Sequence, residues 1–300
     1  MSKYDINKAF RRDCVITVPL SKSIVKAAQR YLKKQDKCLK KIEKVKAETI
    51  RIPVYDGMIE AQIIVPENVI EKNPCIFDIH GGGFVYDASS AHYRNAARYA
   101  IETGSIVVFP RYRLAPAYTY PTAINDCRAA FEWVLEHADE FLIDKERIGI
   151  CGDSAGGYLA ARTTNWAVSN GYQVSCQLLI YPVTDAKMTT DSMKKYTDTP
   201  VWNARLNKII WDWYYNGRKN VESTLLEDIL PENIPVTYLE TAEFDCLHDE
   251  GLLYAERLKN AGVQVLINET RATMHGFNMT DCEITREALR KRIAFMKKQI

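Results

Sequence analysis

The sequence has almost no net charge and no long apolar segment. Its 300 residues contain 40 lysines and arginines against 38 aspartates and glutamates, so the formal net charge is only +2. This small charge provides no long-range field that would attract a nucleic acid or an anionic membrane. No apolar stretch reaches the length of about 18 residues that a transmembrane helix requires. We therefore expect neither a nucleic acid nor a membrane among the partners.

Cysteine pairs and targeting features are also missing. The first 20 residues lack the apolar core and the small-residue cleavage site of a secretory signal. No C-x-x-C pair occurs, so the spacing of the cysteines predicts neither a zinc site nor a disulfide framework. We expect a protein of the reducing cytoplasm that binds no metal. The eight cysteines are residues 14, 38, 75, 127, 151, 176, 246 and 282.

Apolar segments of strand length alternate with helical segments over most of the chain. Asp56 and Gly57, between two apolar runs, predict the turn of a β-hairpin. The later strands are apolar throughout, which predicts a mostly parallel sheet flanked by helices on both faces. Strands are expected within 74–79, 105–110, 147–151, 176–182, 235–240 and 263–269, with helices near 92–102, 121–138, 155–169, 249–262 and 283–298.

Two segments stand outside this alternation. Residues 22–46 are rich in lysine and have apolar residues at helical spacing, which predicts a solvated helix or one that docks on a membrane surface or a partner. Residues 186–222 are first polar and then strongly aromatic, and we interpret them as an inserted helical cap. The predicted organisation is an N-terminal helical cap segment over 1–47, a core over 48–185 and 223–300, and an inserted cap over 186–222.

The sequence GDSAG, centred on Ser154, is the first chemical motif. It follows an apolar strand and precedes a helix, and this is the context of a nucleophile elbow. A sharp turn would hold the serine in a strained conformation, and only glycines would fit beside it. The alternative is a simple glycine-rich turn between a strand and a helix.

The sequence HGGGF, residues 80–84, directly follows another predicted strand. Consecutive glycines let the backbone approach a substrate and present several N–H groups to a developing oxyanion. We predict that Gly81, Gly82 and Ala155 form an oxyanion hole. A phosphate-binding loop is the competing interpretation, but no Lys-Ser or Lys-Thr pair follows.

Candidates for a base and an acid follow later strands. His275 lies in a predicted loop after the last strand, and Asp245 lies just past the strand before it. Their order after Ser154 is the order that nucleophile, acid and base take in this kind of sheet. Asp249 is the alternative acid. We expect His92 and His137, which fall in helical segments, to be surface residues.

Taken together, these blocks resemble the hormone-sensitive-lipase-like branch of the α/β-hydrolases. The resemblance covers about residues 50–300 and rests on HGGGF, RYRLAPAYTYPTAINDC, GDSAGG, DCLHDEGLLYAERLKNAGV and HGF in that order. It implies an α/β-hydrolase fold, a Ser154–Asp245–His275 triad and the oxyanion hole above, with no cofactor. It also implies that Arg113 and Asp126 are structural.

The resemblance further implies a serine carboxylesterase that acts on a small-molecule ester, short-chain or small and aromatic, through an acyl-enzyme. A deacetylase or amidase of acetylated sugars or aryl acetamides, and a non-catalytic binder on the same fold, are the alternatives. The family also makes a homodimer an expectation. Aromatic residues of the cap could line the substrate pocket or only pack against the core; the candidates for the pocket are Phe84, Trp202, Trp211 and Tyr214.

Overall fold

Eight strands form one sheet in the computed structural model of the protein, which describes residues 3–15, 18, 21–218 and 224–300. Their order is β1-β2-β4-β3-β5-β6-β7-β8, and among them β2 alone runs in the direction opposite to the other seven. The prediction of a mostly parallel sheet is confirmed. The strands are β1 Val45–Val54, β2 Gly57–Pro66, β3 Asn73–Ile79, β4 Ile106–Arg111, β5 Ile143–Asp153, β6 Cys176–Ile180, β7 Thr237–Phe244 and β8 Val265–Met274.

Helices cover both faces of the sheet. Alternate residues of β3 point into two separate apolar cores, because side chains of a strand alternate between its faces. Phe77 packs with residues of α3 and α4, whereas Ile76 packs with residues of α2 and α8. Every helix in the described ranges is too short or too polar to span a lipid bilayer. The helices are α1 Lys22–Leu32, α2 Ser90–Thr103, α3 Thr122–Glu136, α4 Ala155–Ser169, α5 Asp191–Lys195, α6 Ala204–Tyr215, α7 His248–Asn260 and α8 Glu283–Gln299.

The N-terminal segment departs from the prediction of one helix over 22–46. Helix α1 ends at Leu32, a 3₁₀ helix covers Gln35–Lys41, and strand β1 begins at Val45. Val45 pairs with Pro66 at the far end of the hairpin, so the whole length of β2 has a partner. Pairing with β2 therefore overrides the helical spacing of the last residues of this segment.

The segment inserted after β6 is helical and contacts the N-terminus. It contains α5 and α6, and Asp198 between them accepts a hydrogen bond of 2.9 Å from Lys3 Nζ. The rings of Tyr4 and Tyr196 lie 5.7 Å apart between centroids. Residues 219–222 and the predicted boundary at 223 lie outside the described residues. The division into core and cap remains a prediction.

Arg113 and Asp126 join the loop after β4 to helix α3. The Asp126 side chain is completely buried, and it accepts hydrogen bonds from Arg113 Nη2 at 2.7 Å and from Arg113 Nε at 3.0 Å. This two-point ion pair ties the loop after β4 to α3. A purely structural role for the two residues remains a prediction.

Candidate active site

Ser154 occupies the sharp turn between β5 and α4. Its φ of +56° lies in the left-handed region, where a side chain other than glycine is strained. A Cβ on Gly152 would lie 2.2 Å from the carbonyl oxygen of Gly156, and a Cβ on Gly156 would lie 2.0 Å from that of Ile79. Both contacts are impossible for a larger residue. The glycines of GDSAG therefore exist because the turn packs against itself and against the end of β3.

Ser154, His275 and Asp245 are connected by hydrogen bonds. Ser154 Oγ lies 2.8 Å from His275 Nε2, and His275 Nδ1 lies 2.6 Å from Asp245 Oδ2. The three residues follow β5, β8 and β7, whose carboxyl ends meet at one edge of the sheet. All three are buried, and the side chain of Asp245 is completely so. A carboxylate in this position holds Nδ1–H toward itself and leaves Nε2 to accept a proton from the hydroxyl.

The alternative acid, Asp249, is engaged elsewhere. Its Oδ1 lies 2.8 Å from His248 Nδ1, and its Oδ2 accepts a hydrogen bond of 2.7 Å from the backbone of Ser192. His248 also lies 3.3 Å from a carboxylate oxygen of Glu269. The structure therefore brings Asp245, and not Asp249, to His275.

The glycine loop after β3 corrects one predicted residue. The Gly81 N–H donates a hydrogen bond of 2.9 Å to Asp153 Oδ1, so it is not free to bind an oxyanion. Within the described residues, the N–H groups of Gly82, Gly83 and Ala155 donate no hydrogen bond. The N–H groups of Gly82 and Ala155 are free, as the predicted oxyanion hole requires. Gly83 has the free N–H that Gly81 lacks.

Asp153 and His92 form a buried pair behind this loop, which the sequence pattern did not predict. The second oxygen of Asp153 lies 3.4 Å from His92 Nε2. Burial alone would raise the pKa of Asp153, but His92 and the Gly81 N–H outweigh that effect and hold it below its usual value.

The expectation that His92 is a surface residue is wrong. Its exposure is only 8%, because it starts the buried face of α2. The spacing of His92, Ala96 and Tyr99 along one helix face was the signal that could have indicated this burial. His137 is half-buried and stacks on Trp133 at 4.0 Å.

The cap aromatics divide into two groups. Phe84 stacks on Tyr214 at 4.1 Å and lies 5.5 Å from Trp211, so these three rings join α6 to the glycine loop. Trp202 instead lies against the catalytic candidates: its ring is 5.8 Å from that of His275, and a Cβ on Gly83 would be 2.7 Å from its edge. A role of any of the four in substrate binding remains a prediction.

Comparison with known proteins agrees with this geometry. A family model described as alpha/beta hydrolase fold matches residues 76–279. Carboxylesterase NlhH of Mycobacterium tuberculosis is 35% identical over 232 residues, which cover 74% of this chain and 73% of NlhH. Two solved structures superpose closely. An esterase from the hyperthermophilic archaeon Pyrobaculum calidifontis has a TM-score of 0.85 at 31% identity, covering 97% of this chain and 96% of its own. The Bacterial Heroin Esterase has a TM-score of 0.89 at 28% identity, covering 98% of each chain.

The sheet order, the serine at the strand–helix turn and these matches define an α/β-hydrolase. Within that fold, the chain belongs to the hormone-sensitive-lipase-like carboxylesterase family. It is a hydrolase that acts on carboxylic esters.

Proposed function

We propose that the protein is a serine carboxylesterase that hydrolyses short-chain or small aromatic esters through an acyl-enzyme. The observation that carries the proposal is the pair of hydrogen bonds from Ser154 to His275 and from His275 to Asp245, of 2.8 Å and 2.6 Å. This constellation activates a serine toward an acyl carbon.

In the proposed mechanism, His275 takes the hydroxyl proton as Ser154 Oγ attacks the ester carbonyl. Asp245 stabilises the imidazolium that forms. The N–H groups of Gly82, Gly83 and Ala155 bind the oxyanion, and the helix that begins at Ala155 adds its dipole. His275 then protonates the leaving alcohol. Water, deprotonated by His275, attacks the acyl-enzyme and releases the acid and Ser154.

The cap lies close to Ser154, and this supports a preference for small substrates. Ser154 is only 4% exposed, and Trp202 lies over Gly83 at the predicted oxyanion hole. A long acyl chain would need the cap to move away. A preference for long-chain triglyceride emulsions over soluble C2–C6 esters would contradict this part of the proposal.

A p-nitrophenyl ester series from acetate to dodecanoate tests the mechanism. We expect wild type to favour the short chains and to release p-nitrophenol in a burst of about one equivalent, because p-nitrophenolate is a good leaving group and acylation is then faster than deacylation. Ser154→Ala should lower kcat by at least about 10⁴-fold. Ser169→Ala, an exposed serine at the end of the same helix, is the matched control and should keep full activity.

A parallel panel of acetylated sugars and aryl acetamides separates the ester hypothesis from the deacetylase or amidase alternative. A higher kcat/KM on amides or sugar acetates than on p-nitrophenyl acetate would favour the alternative. Undiminished esterase activity in Ser154→Ala would instead assign the reaction to another part of the protein.

A further inference from the structure

A cleft of about 490 Å³ lies between helix α1 and the first strands of the sheet. We call it the α1 cleft. Arg51, Glu60 and Arg111 line it, and they are direct partners across β1, β2 and β4. Cross-strand partners project from the same face of a sheet, so these residues form a charged row. The size of the cleft is that of a site for a small organic ligand.

Helix α1 supplies the opposite wall. Lys26 and Arg30 of α1 and Lys33 at its C-cap line the cleft at spacings of four and three residues, so they share one face of the helix. Gln29, on the same face, fixes the helix by donating hydrogen bonds to the backbone carbonyls of Val85 at 2.7 Å and Ala115 at 3.1 Å. The wall is therefore held in place and is strongly positive.

Carboxylates within the α1 cleft do not balance this charge. Arg111 is bound to Glu60 at 2.9 Å and to Asp87, and Lys33 lies 3.4 Å from Glu60.

In the part of the chain that the structure describes, Lys26, Arg30 and Arg51 have no ion-pair partner. A sixth cation, Arg113, is paired with Asp56 and Asp126. Three unpaired cations around one concave space attract an anion.

The α1 cleft also offers apolar surface. Met58, Leu114 and Tyr118 line it beside the charged row, and Met58 and Tyr118 are 49% and 45% exposed. A ligand that bears both an anionic group and a short apolar or aromatic part would contact both kinds of surface. Ser154 and His275 do not line the cleft, and the inference does not depend on the proposed mechanism.

We propose that the α1 cleft binds a small amphipathic anion through its carboxylate or phosphate group. The anionic group lies between the α1 cations and Arg51, and the apolar part lies against Met58, Leu114 and Tyr118. Occupation of the cleft relieves the repulsion between cations that face each other across it. Because the cleft is open to solvent, binding weakens as ionic strength rises.

Isothermal titration with phenylphosphonate tests this proposal, because that molecule has the predicted chemistry and contains no ester. We expect saturable one-to-one binding, weaker binding of inorganic phosphate, and none of the neutral benzyl alcohol. Arg30→Gln/Arg51→Gln should weaken binding at least tenfold. The control Lys297→Gln/Lys298→Gln removes the same charge from exposed positions on α8 and should leave the affinity unchanged.

The same titration with Ser154→Ala keeps this site apart from the catalytic one, and binding should be retained. Absence of saturable binding would overturn the proposal. Equal loss of phenylphosphonate binding in both double variants would also overturn it. A third contrary result would be competitive inhibition of p-nitrophenyl acetate hydrolysis by phenylphosphonate, with an inhibition constant that Arg30→Gln/Arg51→Gln leaves unchanged.

A second pair of substrates identifies the source of the anion once binding is established. If Arg30→Gln/Arg51→Gln lowers kcat/KM for p-nitrophenyl hemisuccinate but not for p-nitrophenyl butyrate, the anion is part of an acidic ester substrate. If neither value changes, the site belongs to a separate ligand. Either result is compatible with the site and assigns its occupant.

Discussion

Among single residues, Asp153 connects two parts of the candidate active site. It precedes Ser154 in the chain, and its carboxylate accepts the Gly81 N–H at 2.9 Å. His92 approaches its other oxygen at 3.4 Å from α2. The carboxylate therefore fixes the glycine loop relative to the serine. Neither residue reaches the Ser154 hydroxyl, so both are positioning residues.

Replacing Asp153 with alanine should reduce turnover more than substrate binding. The Gly81 N–H would lose its acceptor, and the neighbouring N–H groups would shift from the oxyanion. We expect kcat to fall about 10- to 100-fold, less than the loss of a whole oxyanion donor, while KM changes little. Steady-state kinetics on p-nitrophenyl acetate measures this split.

His92→Ala, which leaves the Gly81 hydrogen bond in place, should show a smaller fall in kcat than Asp153→Ala. Thermal unfolding of both variants checks that each is folded. A rise in KM with kcat unchanged would show that Asp153 does not act through the glycine loop.

Among the structural elements, the loop between α5 and α6 lies over the candidate site. Trp202 touches Gly83 on the oxyanion side, and Val201 Cγ1 would be 3.4 Å from a Cβ on Gly276, beside His275. This loop thus spans from the glycine loop to the histidine loop. Its side chains limit the space above Ser154.

Truncating Trp202 should widen the site. We expect Trp202→Ala to raise the ratio of kcat/KM for p-nitrophenyl octanoate to that for acetate by at least about tenfold, because a hydrophobic pocket discriminates by the volume it offers. Trp202→Phe should give an intermediate ratio. Trp213→Ala removes a half-buried tryptophan from α6 and is the matched control, with an unchanged ratio expected. The same shift in the Trp213 variant would point to general loosening of the cap.

Across the whole molecule, the buried carboxyl of Asp78 links stability to pH. Burial, together with the nearby Asp153 carboxylate, raises the pKa of Asp78 to about 7. In the unfolded chain this carboxyl ionises near its ordinary value of about 4. The folded protein therefore binds one more proton than the unfolded chain between about pH 4 and pH 7. The contribution of Asp78 to the free energy of unfolding falls as the pH rises through that window and is constant above it.

Asp78→Asn should remove this dependence. The free energy of unfolding of the variant minus that of wild type should be about 2 to 3 kcal/mol larger at pH 8 than at pH 5, since each pKa unit is worth about 1.4 kcal/mol. Urea unfolding at the two pH values measures the difference. Asp139→Asn, at an exposed position, should show no such gain. A difference between Asp78→Asn and wild type that is independent of pH would contradict the assignment.

Local pattern was enough to predict the strand–helix alternation, the hairpin, the serine turn and the order of the three catalytic candidates. These features depend on spacing along the chain and on steric rules that neighbouring residues impose, as Gly152 and Gly156 do around Ser154. The same reasoning extended the first helix too far, because the residues from Val45 onward pair with β2.

Tertiary packing alone decided which groups are free and which are occupied. The Gly81 N–H is hydrogen-bonded to a carboxylate 72 positions away. Asp249 is held by His248 and Ser192. His92 is buried on the inner face of α2. The cations of the α1 cleft likewise meet only because a helix packs over the hairpin. Contacts between distant segments depend on how whole elements pack, and no local period of one chain encodes them.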